Sequence, residues 1–320
     1  MTESISSPQR GCCAPSRGTK GGVRDVIPLT GEAPGADLRG MVALAGGEFV
    51  IGSADQWTYP SDGETPREVE LSGFMIDQCA VSNRQFAEFV AVTGYLTEAE
   101  RFGWSFVFGG LLPDDFPATG AAAAAPWWRQ VFGADWGHPE GPQSNVDDQS
   151  DHPVVHVSFN DALRYCAWAG KRLPSEAEWE FAARGGLPRA TFPWGDELEP
   201  AGEHRMNVWQ GRFPNENTLA DGYFGTCPVD AFAPNGCGLF NATGNVWEWT
   251  ADWFDPAFRA RDRRKNPAGP ATGASKVQRG GSYLCHESYC RRYRVAARQG
   301  NEPDSSAGNL GFRCAADTPD

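Results

Sequence analysis

Residues 171–185 read KRLPSEAEWEFAARG and predict a short, well-defined helix. Ser175 is a favourable N-cap residue, and Glu178, three positions later, completes the Ser-x-x-Glu pattern of a capping box. From Trp179 an apolar pattern continues to Gly185, a residue type that commonly ends helices. The stretch therefore predicts a helix with both of its ends marked in the sequence.

Two further helices are predicted upstream of this one. The first starts after Ser82 and the second after Ser158, each a suitable N-cap, and the second stops at Gly170. Helical spacing gives each an apolar face, formed by Phe86, Phe89 and Val90 in the first and by Ala162, Leu163, Tyr165, Cys166 and Trp168 in the second.

Strands are predicted on the N-terminal side of the chain. Met41–Ile51, with two adjacent glycines at its middle, predicts a hairpin, and Val69–Ile76 predicts another strand. Phe102–Gln149 and Pro188–Asn241 carry turn residues and isolated aromatics without a period, which predicts long loops clamped by metal ions or buried tryptophans. The expected fold class is α+β, in a single domain with little regular secondary structure.

The domain boundary is predicted near residue 39. Residues 1–38 are rich in Gly, Pro, Ser and Arg and lack a hydrophobic period, which predicts a disordered tail. Cys12 and Cys13 lie in this tail, and the pattern gives them no fixed role. Residues 39–320 are expected to form the folded domain.

Composition limits the partners of the chain. It has 320 residues, 40% of them apolar, and a net charge of −13, which argues against non-specific binding to nucleic acid or to an anionic membrane. No apolar run approaches the ~20 residues of a membrane span, and the start lacks the regions of a secretory signal. We therefore expect a cytoplasmic protein, and the lack of a long exposed apolar helix or strand favours a monomer.

Residues 279–294, RGGSYLCHESYCRRYR, hold the most informative cysteines, Cys285 and Cys290. Five positions correspond to roughly 140° around a helix, and in a strand they place two side chains on opposite faces. A shared role therefore requires a bent loop, which Gly280 and Gly281 would permit. The odd total of nine cysteines argues against complete pairing as disulfides in a cytosolic protein.

Such a pair could form a disulfide, bind a soft metal or supply a nucleophile. Structural zinc is disfavoured, because it usually takes four ligands in closely spaced pairs and no second such pair is present. Cu(I) accepts two thiolates and leaves positions open, which suits chemistry on a third thiol. From the spacing alone, a plain disulfide or two unrelated core cysteines is the favoured interpretation.

Five segments change this weighting, because they closely resemble the formylglycine-generating enzyme family, whose fold is C-type-lectin-like. They are residues 94–100 (GYLTEAE), 171–180 (KRLPSEAEWE), 238–250 (GLFNATGNVWEWT), 279–294 with Arg298, and 303–314 (PDSSAGNLGFRC). The resemblance covers about residues 41–316. The second and third segments also occur in non-catalytic relatives and so indicate the fold, whereas the Cys285/Cys290 pair marks the catalytic branch.

The resemblance implies an oxidase that converts the cysteine of a Cys-X-Pro-X-Arg sequence in an unfolded or nascent sulfatase to Cα-formylglycine. The co-reactants would be O₂ and a thiol reductant. Cys285 and Cys290 would hold Cu(I), and the substrate thiol would become a third sulfur ligand. Ser282 and Tyr289 would line the oxygen side of the site, and Trp247 would form an apolar wall.

The resemblance also implies a groove for the substrate peptide. Its lining residues would be Trp104, Ser105, Arg298, Ser306 and Asn309. Trp104 stands where some animal members have an acidic residue, which leaves open how the substrate arginine is held. His286, next to Cys285, is interpreted equally well as a structural or as a functional histidine.

Two structural calcium ions are implied in the same way. Calcium prefers carboxylate, amide and backbone oxygens, and each ion would fix loops that lack secondary structure. The ligands would be Asn207, Asp221 and the carbonyls of Val208 and Tyr223 at one site, and Asn241, Glu248 and the carbonyls of Gly244 and Val246 at the other. Without the resemblance, these Asn and Asp residues would be interpreted as ordinary turn formers.

Some family members, secreted ones especially, carry two further disulfides. Cys166 and Cys314 match one pair, which implies that they lie close together, whether bridged or reduced. Ala183 and Val295 stand at the other pair of positions, which fits a protein in reducing cytosol. By default, we interpret each of the remaining cysteines of the domain, Cys79, Cys227 and Cys237, as a small, buried, apolar residue.

Two other functions are compatible with the fold. A non-enzymatic binding module would not need paired cysteines on one loop, so the Cys285/Cys290 pair argues against it. An iron-dependent sulfoxide synthase would add a helical domain that carries a histidine facial triad. The chain contains no His-x₃-His-x-Glu pattern and has no room for that domain.

Overall fold

The computed structural model describes residues 15–18, 37–258 and 261–318. The α-helices in this part of the chain are α1 (Asn83–Thr93), α2 (Glu98–Phe102), α3 (Phe159–Trp168) and α4 (Glu176–Ala183). The strands are β1 (Met41–Leu44), β2 (Gly47–Ile51), β3 (Arg67–Leu71), β4 (Phe74–Asp77), β5 (Trp104–Phe108), β6 (Ala121–Ala122), β7 (Ala125–Phe132), β8 (Gly211–Arg212), β9 (Glu216–Asn217), β10 (Trp247–Trp253), β11 (Lys276–Arg279), β12 (Arg298–Asn301), β13 (Leu310–Gly311) and β14 (Ala315–Asp317).

The strands form several small sheets rather than one large one. The central sheet has the order β12-β11-β10-β13, in which β10 and β13 run parallel. Two three-stranded sheets, β1-β4-β14 and β5-β7-β6, and the pairs β2-β3 and β8-β9 surround it. The short elements and long irregular segments confirm the predicted α+β class, but β5 and β7 lie where the sequence predicts only loop.

Each α-helix begins at a Ser or Thr that belongs to a complete capping box. Ser82, Ser158 and Ser175 cap α1, α3 and α4, so the three predicted helices are confirmed. The short α2 is an addition to the prediction, although Thr97 and Glu100 form the same box. These boxes satisfy backbone N–H groups that a helix start otherwise leaves unpaired. None of the described helices combines the length and apolar character that crossing a bilayer requires.

The predicted hairpin over Met41–Ile51 is wrong, because β1 pairs with β4 whereas β2 pairs with β3. Val69–Ile76 is likewise two strands, β3 and β4, separated by a two-residue break. The cause lies at Gly46, which has a φ of 71° and where a Cβ would lie 2.3 Å from the Leu71 carbonyl oxygen. The two connections run side by side at this point in one antiparallel register, and strands adjacent in sequence enter different sheets.

Two apolar clusters hold these elements together. The larger joins α1 and α3 to β10 and β13, and it contains both Cys285 and Cys290. The smaller packs α4 against β2, β3 and β4, and it contains Ala183 and Val295, both fully buried. Complete burial of one large apolar side chain contributes about 1.5–3 kcal/mol, so packing rather than helix length stabilises these short helices.

Two buried carboxylates fix α4 to the central sheet. Glu176 accepts hydrogen bonds at 2.6 Å from both Arg279 and Arg298, and Glu180 pairs with Arg279 and with Arg184. Removing one partner of a buried ion pair costs about 3–5 kcal/mol, because the remaining charge is left without compensation. These contacts explain why the segment that forms α4 indicates the fold.

The predicted disordered tail, residues 1–38, lies mostly outside the described residues, as do Cys12 and Cys13. The structure describes residues 15–18 of this range. Pro15 is buried, and its carbonyl accepts a hydrogen bond from Asn301 Nδ2 at 3.2 Å. The contacts of this short segment are made with distant parts of the chain and leave no local pattern in the sequence.

Candidate active site

The loop after β11 reverses direction at two glycines. Gly280 and Gly281 have φ angles of 94° and 75°, in the left-handed region that favours glycine. A Cβ at Gly281 would lie 2.8 Å from the Tyr293 Cα, so a larger residue would push the outgoing and returning chains apart. The bent loop that a shared role for the cysteines requires is therefore present.

Two successive turns bring the cysteines together. The Cys285 N–H donates to the Ser282 carbonyl at 2.9 Å, and the Cys290 N–H donates to the His286 carbonyl at 2.8 Å. The Cys285 and Cys290 sulfur atoms lie 3.7 Å apart, and both side chains are fully buried. A disulfide bond is about 2.05 Å long, so the thiols are neighbours without a covalent bond. The loop thus makes the two cysteines neighbours, and a shared role for them stays a prediction.

A cavity of about 390 Å³ reaches Cys285. Its walls include Val208, Trp209, Gln210, His286 and Tyr293. The Trp209 N–H donates to the Cys285 carbonyl at 3.1 Å, so one wall also anchors the cysteine loop. Burial, together with the nearby Cys285, raises the pKa of Tyr293, which therefore stays a neutral phenol. The cavity thus extends to the loop that carries the buried Cys285.

Ser282, Asn309 and Trp247 form a connected set beside Cys285. The Ser282 N–H donates to the Cys285 sulfur at 3.4 Å, and Asn309 Nδ2 donates to Ser282 Oγ at 2.9 Å. The Trp247 N–H donates to the Asn309 carbonyl at 2.9 Å where β10 and β13 pair. Trp247 is fully buried, and its indole Nε1 has no hydrogen-bond partner among the described residues. Ser282 thus contacts the thiol directly, and Asn309 and Trp247 are linked to it through Ser282.

Tyr289 and His286 lie in the turn between the two cysteines. The Tyr289 hydroxyl donates to the Leu284 carbonyl, and its ring stacks on Phe213 with centroids 4.2 Å apart. His286 Nδ1 lies 2.8 Å from Ser288 Oγ, and partial burial lowers the pKa of His286. These contacts hold the turn closed, which fixes the separation of the two thiols.

The thiol pair fits a soft metal ion with open coordination positions. Metal–sulfur bonds of about 2.3 Å, as in zinc sites, allow one ion to contact two sulfurs that lie 3.7 Å apart. Across residues 15–18, 37–258 and 261–318, His, Cys, Asp and Glu side chains form no metal-binding group of three or more. Two thiolates without a third such ligand suit Cu(I) better than structural zinc.

A hydrogen-bonded chain orders the polar side of the predicted groove. Ser105 Oγ lies 2.8 Å from Ser306 Oγ, and His156 Nδ1 lies 2.8 Å from Ser105 Oγ. His156 Nε2 lies 2.8 Å from the Pro139 carbonyl, which can only accept, so this nitrogen carries the proton. Burial lowers the pKa of His156 to about 4, so at neutral pH Nδ1 is an acceptor. Ser105 then donates to His156, Ser306 donates to Ser105, and a lone pair on Ser306 Oγ faces the groove.

Sequence reasoning missed His156, because one isolated histidine carries no motif. Its φ of 59° is unusual for a residue with a side chain, and the structure is needed to see why it is held there. Arg298, also predicted to line the groove, has its guanidinium engaged by Glu176 and by the Asp62 carbonyl. Its contacts connect β12 to α4.

The first predicted calcium site is assembled around Asp221. This carboxylate accepts from the Val208 N–H at 3.0 Å and from the Tyr223 N–H at 3.1 Å. Asn207 Nδ2 donates to the Gly225 carbonyl at 2.9 Å, which leaves its oxygen to face another partner. Burial raises the pKa of Asp221, and the hydrogen bonds from Tyr223 and Val208 oppose that rise.

The predicted ligands of the second calcium site lie in two different environments. Asn241 Oδ1 is buried and has no hydrogen-bond partner among the described residues, which is the condition of an oxygen suited to a cation. Glu248 instead accepts hydrogen bonds at 2.7 Å from Arg313 and from Trp179 Nε1. Gly244 and Val246 lie in the connection between these two residues.

Cys166 and Cys314 form a second close pair of thiols. Their sulfur atoms lie 3.5 Å apart in the core, which confirms that the two residues are neighbours. Burial and the contact with Cys166 raise the pKa of Cys314 well above its usual range. Cys227 is fully buried, whereas Cys79 and Cys237 are half-buried, so the interpretation as buried small residues is confirmed only for Cys227.

Comparison with known proteins agrees with this architecture. Residues 27–318 match the sulfatase-modifying factor enzyme 1-like domain. The chain is 59% identical to the formylglycine-generating enzyme of Thermomonospora curvata, over 89% of this chain and 96% of the relative. It is 46% identical to the inactive C-alpha-formylglycine-generating enzyme 2 of Bos taurus, over 86% and 87% of the two chains.

Among solved structures, PvdO from Pseudomonas aeruginosa is similar with a TM-score of 0.64 and 24% identity. The match covers 87% of this chain and 94% of PvdO, and at that identity it concerns the fold alone. The domain match and the two relatives extend over nearly all of the described residues. The chain belongs to the formylglycine-generating enzyme family.

Proposed function

We propose that this protein oxidises the cysteine of a Cys-X-Pro-X-Arg sequence in an unfolded or nascent sulfatase to Cα-formylglycine. The reaction would consume O₂ and two thiols and would release hydrogen sulfide, water and a disulfide. The observation that carries the proposal is the pair of buried sulfurs, 3.7 Å apart, at the end of a cavity. The name of the relative from Thermomonospora curvata supports the same activity.

Cys285 and Cys290 would hold the copper ion, and copper(I) would supply the activation of O₂. The two turns of the loop set the separation of the sulfurs before any ion binds, which reduces the ordering cost of binding. The Ser282 N–H donates to the Cys285 sulfur and favours its thiolate form. Trp247, which is fully buried, would form an apolar wall, and Tyr289, which stacks on Phe213, would line the oxygen side of the site.

The substrate thiol would approach through the cavity that Cys285 lines. Its peptide would lie over Ser105 and Ser306, whose hydrogen-bond chain presents an acceptor to a cationic side chain. Holding the peptide at this point would place its cysteine next to the pair and convert an encounter of two molecules into a step within one complex. Positioning and exclusion of water are therefore the contributions of the protein itself.

We also propose two structural calcium ions and a monomeric, cytoplasmic enzyme. The buried, unpartnered Asn241 Oδ1 supports one calcium site, and the Asp221 carboxylate supports the other. Ala183 and Val295 support a reducing compartment, because they put apolar packing at positions where secreted relatives carry cysteines.

The activity is tested with a synthetic peptide that contains Leu-Cys-Thr-Pro-Ser-Arg. The protein, Cu(I), a thiol reductant and air should lower the peptide mass by about 18 Da, the difference between cysteine and formylglycine. The half-buried Cys237, outside the pair, provides the matched control, Cys237→Ser, which should behave as wild type. Peptide of unchanged mass in the presence of demonstrably bound copper would contradict the proposal.

Metal binding is tested separately from turnover. Titration against a Cu(I)-chelating dye should show about one tightly held equivalent per chain, and Cys285→Ser should remove it. Retention of that equivalent in Cys285→Ser would place the copper elsewhere.

A further inference from the structure

A short N-terminal segment lies across the predicted groove. The Pro15 carbonyl accepts from Asn301 Nδ2 at 3.2 Å, and the Arg17 N–H donates to Ser305 Oγ at 3.0 Å. The Gly18 N–H donates to Glu302 Oε2 at 2.8 Å. Three hydrogen bonds to residues 301–305 therefore hold the backbone of the segment, in the manner of a bound peptide.

The Arg17 side chain enters the site between two aromatic rings. Its guanidinium carbon lies 4.0 Å from the Trp104 ring centroid and 4.4 Å from that of Phe102. Nη2 donates to the Trp104 carbonyl at 2.6 Å and to Ser306 Oγ at 2.8 Å. Cation–π contacts and a hydrogen bond to a carbonyl oxygen thus bind the guanidinium at this position, in place of a carboxylate.

The charge of Arg17 persists in this environment. Burial lowers the pKa of Arg17 to about 10, and the acidic groups of Asp304, Glu98 and Asp161 oppose that shift. The guanidinium is therefore protonated at neutral pH. The lone pair on Ser306 Oγ, which faces the groove because Ser105 and His156 order their hydrogens, is the acceptor that a protonated arginine needs.

The sequence of this segment has the spacing of the proposed substrate. Residues 13–17 read Cys-Ala-Pro-Ser-Arg, in which Pro15 and Arg17 occupy the proline and arginine positions of Cys-X-Pro-X-Arg. Arg17 contacts Trp104 and Ser306, two of the residues predicted to bind substrate. The segment is thus related to the proposed substrate both by its sequence and by its place in the fold.

We propose that residues 13–17 carry an internal copy of the substrate sequence, and that residues 15–17 of this copy occupy the enzyme's own peptide groove and compete there with the sulfatase. This inference rests on the proposed function for the identity of the motif. Trp104, Phe102 and Ser306 then form the site for the substrate arginine. The segment regulates the enzyme by requiring each substrate to displace it.

Tethering makes this competition effective even when each contact is weak. A segment attached to its own site through the chain has an effective concentration that can reach the order of millimolar, which a dilute substrate peptide has to overcome. If the segment occupies the groove about 80–90% of the time, the apparent Kd of the peptide is raised about 5–10-fold.

The test is binding of a fluorescently labelled peptide containing Leu-Ser-Thr-Pro-Ser-Arg, in which serine prevents turnover. Arg17→Ala should bind this peptide about 5–10-fold more tightly than wild type, because the groove is vacated while its lining is unchanged. Arg39→Ala is the matched control, since Arg39 is exposed and pairs with Asp37, and it should bind as wild type. Equal or weaker binding by Arg17→Ala, or no binding by any variant, would overturn the proposal.

A second measurement uses the segment in trans. A synthetic peptide of residues 11–20 should displace the labelled peptide from Arg17→Ala, and the same peptide with Ala in place of Arg17 should not. Failure of the first peptide to compete would also overturn the proposal. Neither assay requires turnover, so loss of the internal competitor and loss of the proposed activity are scored separately.

Discussion

The molecule contains two pairs of buried thiols with almost the same separation and very different surroundings. Cys285 and Cys290 lie 3.7 Å apart on one loop, and Cys285 lines a cavity. Cys166 and Cys314 lie 3.5 Å apart but are separated by 148 positions in the chain. The second pair joins α3 to the segment before β14, where the Cys314 N–H donates to Asp77 at 3.1 Å.

The comparison shows that proximity of two sulfurs does not define a reactive site. Access and backbone adaptability distinguish the two pairs. Both pairs belong to the main apolar cluster, but Cys285 of the loop pair borders a cavity and follows two left-handed glycines, whereas neither cysteine of the core pair is among the residues that line that cavity. We expect chemistry at the first pair and a packing role at the second.

The largest expected effect is on turnover. Cys285→Ser should lower the rate of peptide oxidation by more than about 100-fold, since changing only an outer partner of a metal ligand costs 10–100-fold. Cys166→Ser should stay within about 3-fold of wild type, because Cys166 has no described contact with the groove or the cavity. The readout is the initial rate of formylglycine formation by mass spectrometry. Equal losses in the two variants would remove the distinction between the pairs.

The next largest effect is on stability. Here the substitution in the core pair should have the larger effect and the substitution in the loop pair the smaller one. Cys314→Ser should lower the free energy of unfolding by about 1–3 kcal/mol, because it buries a hydroxyl in an apolar core. Cys285→Ser should cost less, since the cavity beside Cys285 can supply water to the new hydroxyl. Denaturant unfolding followed by tryptophan fluorescence measures both. A larger loss for Cys285→Ser would show that the loop carries more of the packing than its surroundings indicate.

The smallest effect is a pH dependence specific to the core pair. The pKa of Cys314 is raised above the usual thiol value of 9.0, so native Cys314 holds its proton where the unfolded chain has lost it. Its contribution to stability is complete below pH 9.0 and is lost as pH rises through the raised pKa.

Unfolding measured from neutral to alkaline pH should therefore show a shallower decline for Cys314→Ala than for wild type. Buried tyrosines such as Tyr283 also have raised pKa values and contribute a decline of the same sign in both proteins. The difference between the two curves isolates the thiol. Parallel curves would mean that Cys314 titrates alike in the folded and unfolded chains.

Local signals in the sequence predicted the helices well and the strand pairing poorly. The capping boxes at Ser82, Ser158 and Ser175 are complete within four residues, so the sequence alone can specify them. The separation of β1 from β2 depends on the approach of Gly46 to a carbonyl some 25 residues away, which no local pattern records. The pairing therefore depends on chain segments that lie far apart in the sequence.

The candidate site shows the same difference between what local sequence signals predict and what only distant contacts reveal. Spacing showed only that Cys285 and Cys290 need a bent loop, and resemblance supplied Ser282 and Asn309, which the structure places beside Cys285. The contact of His156 with Ser105 spans 51 positions of the chain, and that of Arg17 with Ser306 spans 289. Side chains of this kind become visible only when the fold has brought their partners together.

Ala183 and Val295 meet within the apolar cluster behind α4, at positions where secreted relatives carry a cysteine pair. The proposed reaction consumes thiol reductant in every cycle, and reductant also opens structural disulfides. The apolar side chains of Ala183 and Val295 do not react with thiols. The reductant that the reaction consumes therefore cannot destabilise the fold at this point. The enzyme is thereby suited to work in a strongly reducing assay or cell extract. Under those conditions, the reductant that a disulfide-bonded relative needs for turnover would also break its structural disulfides.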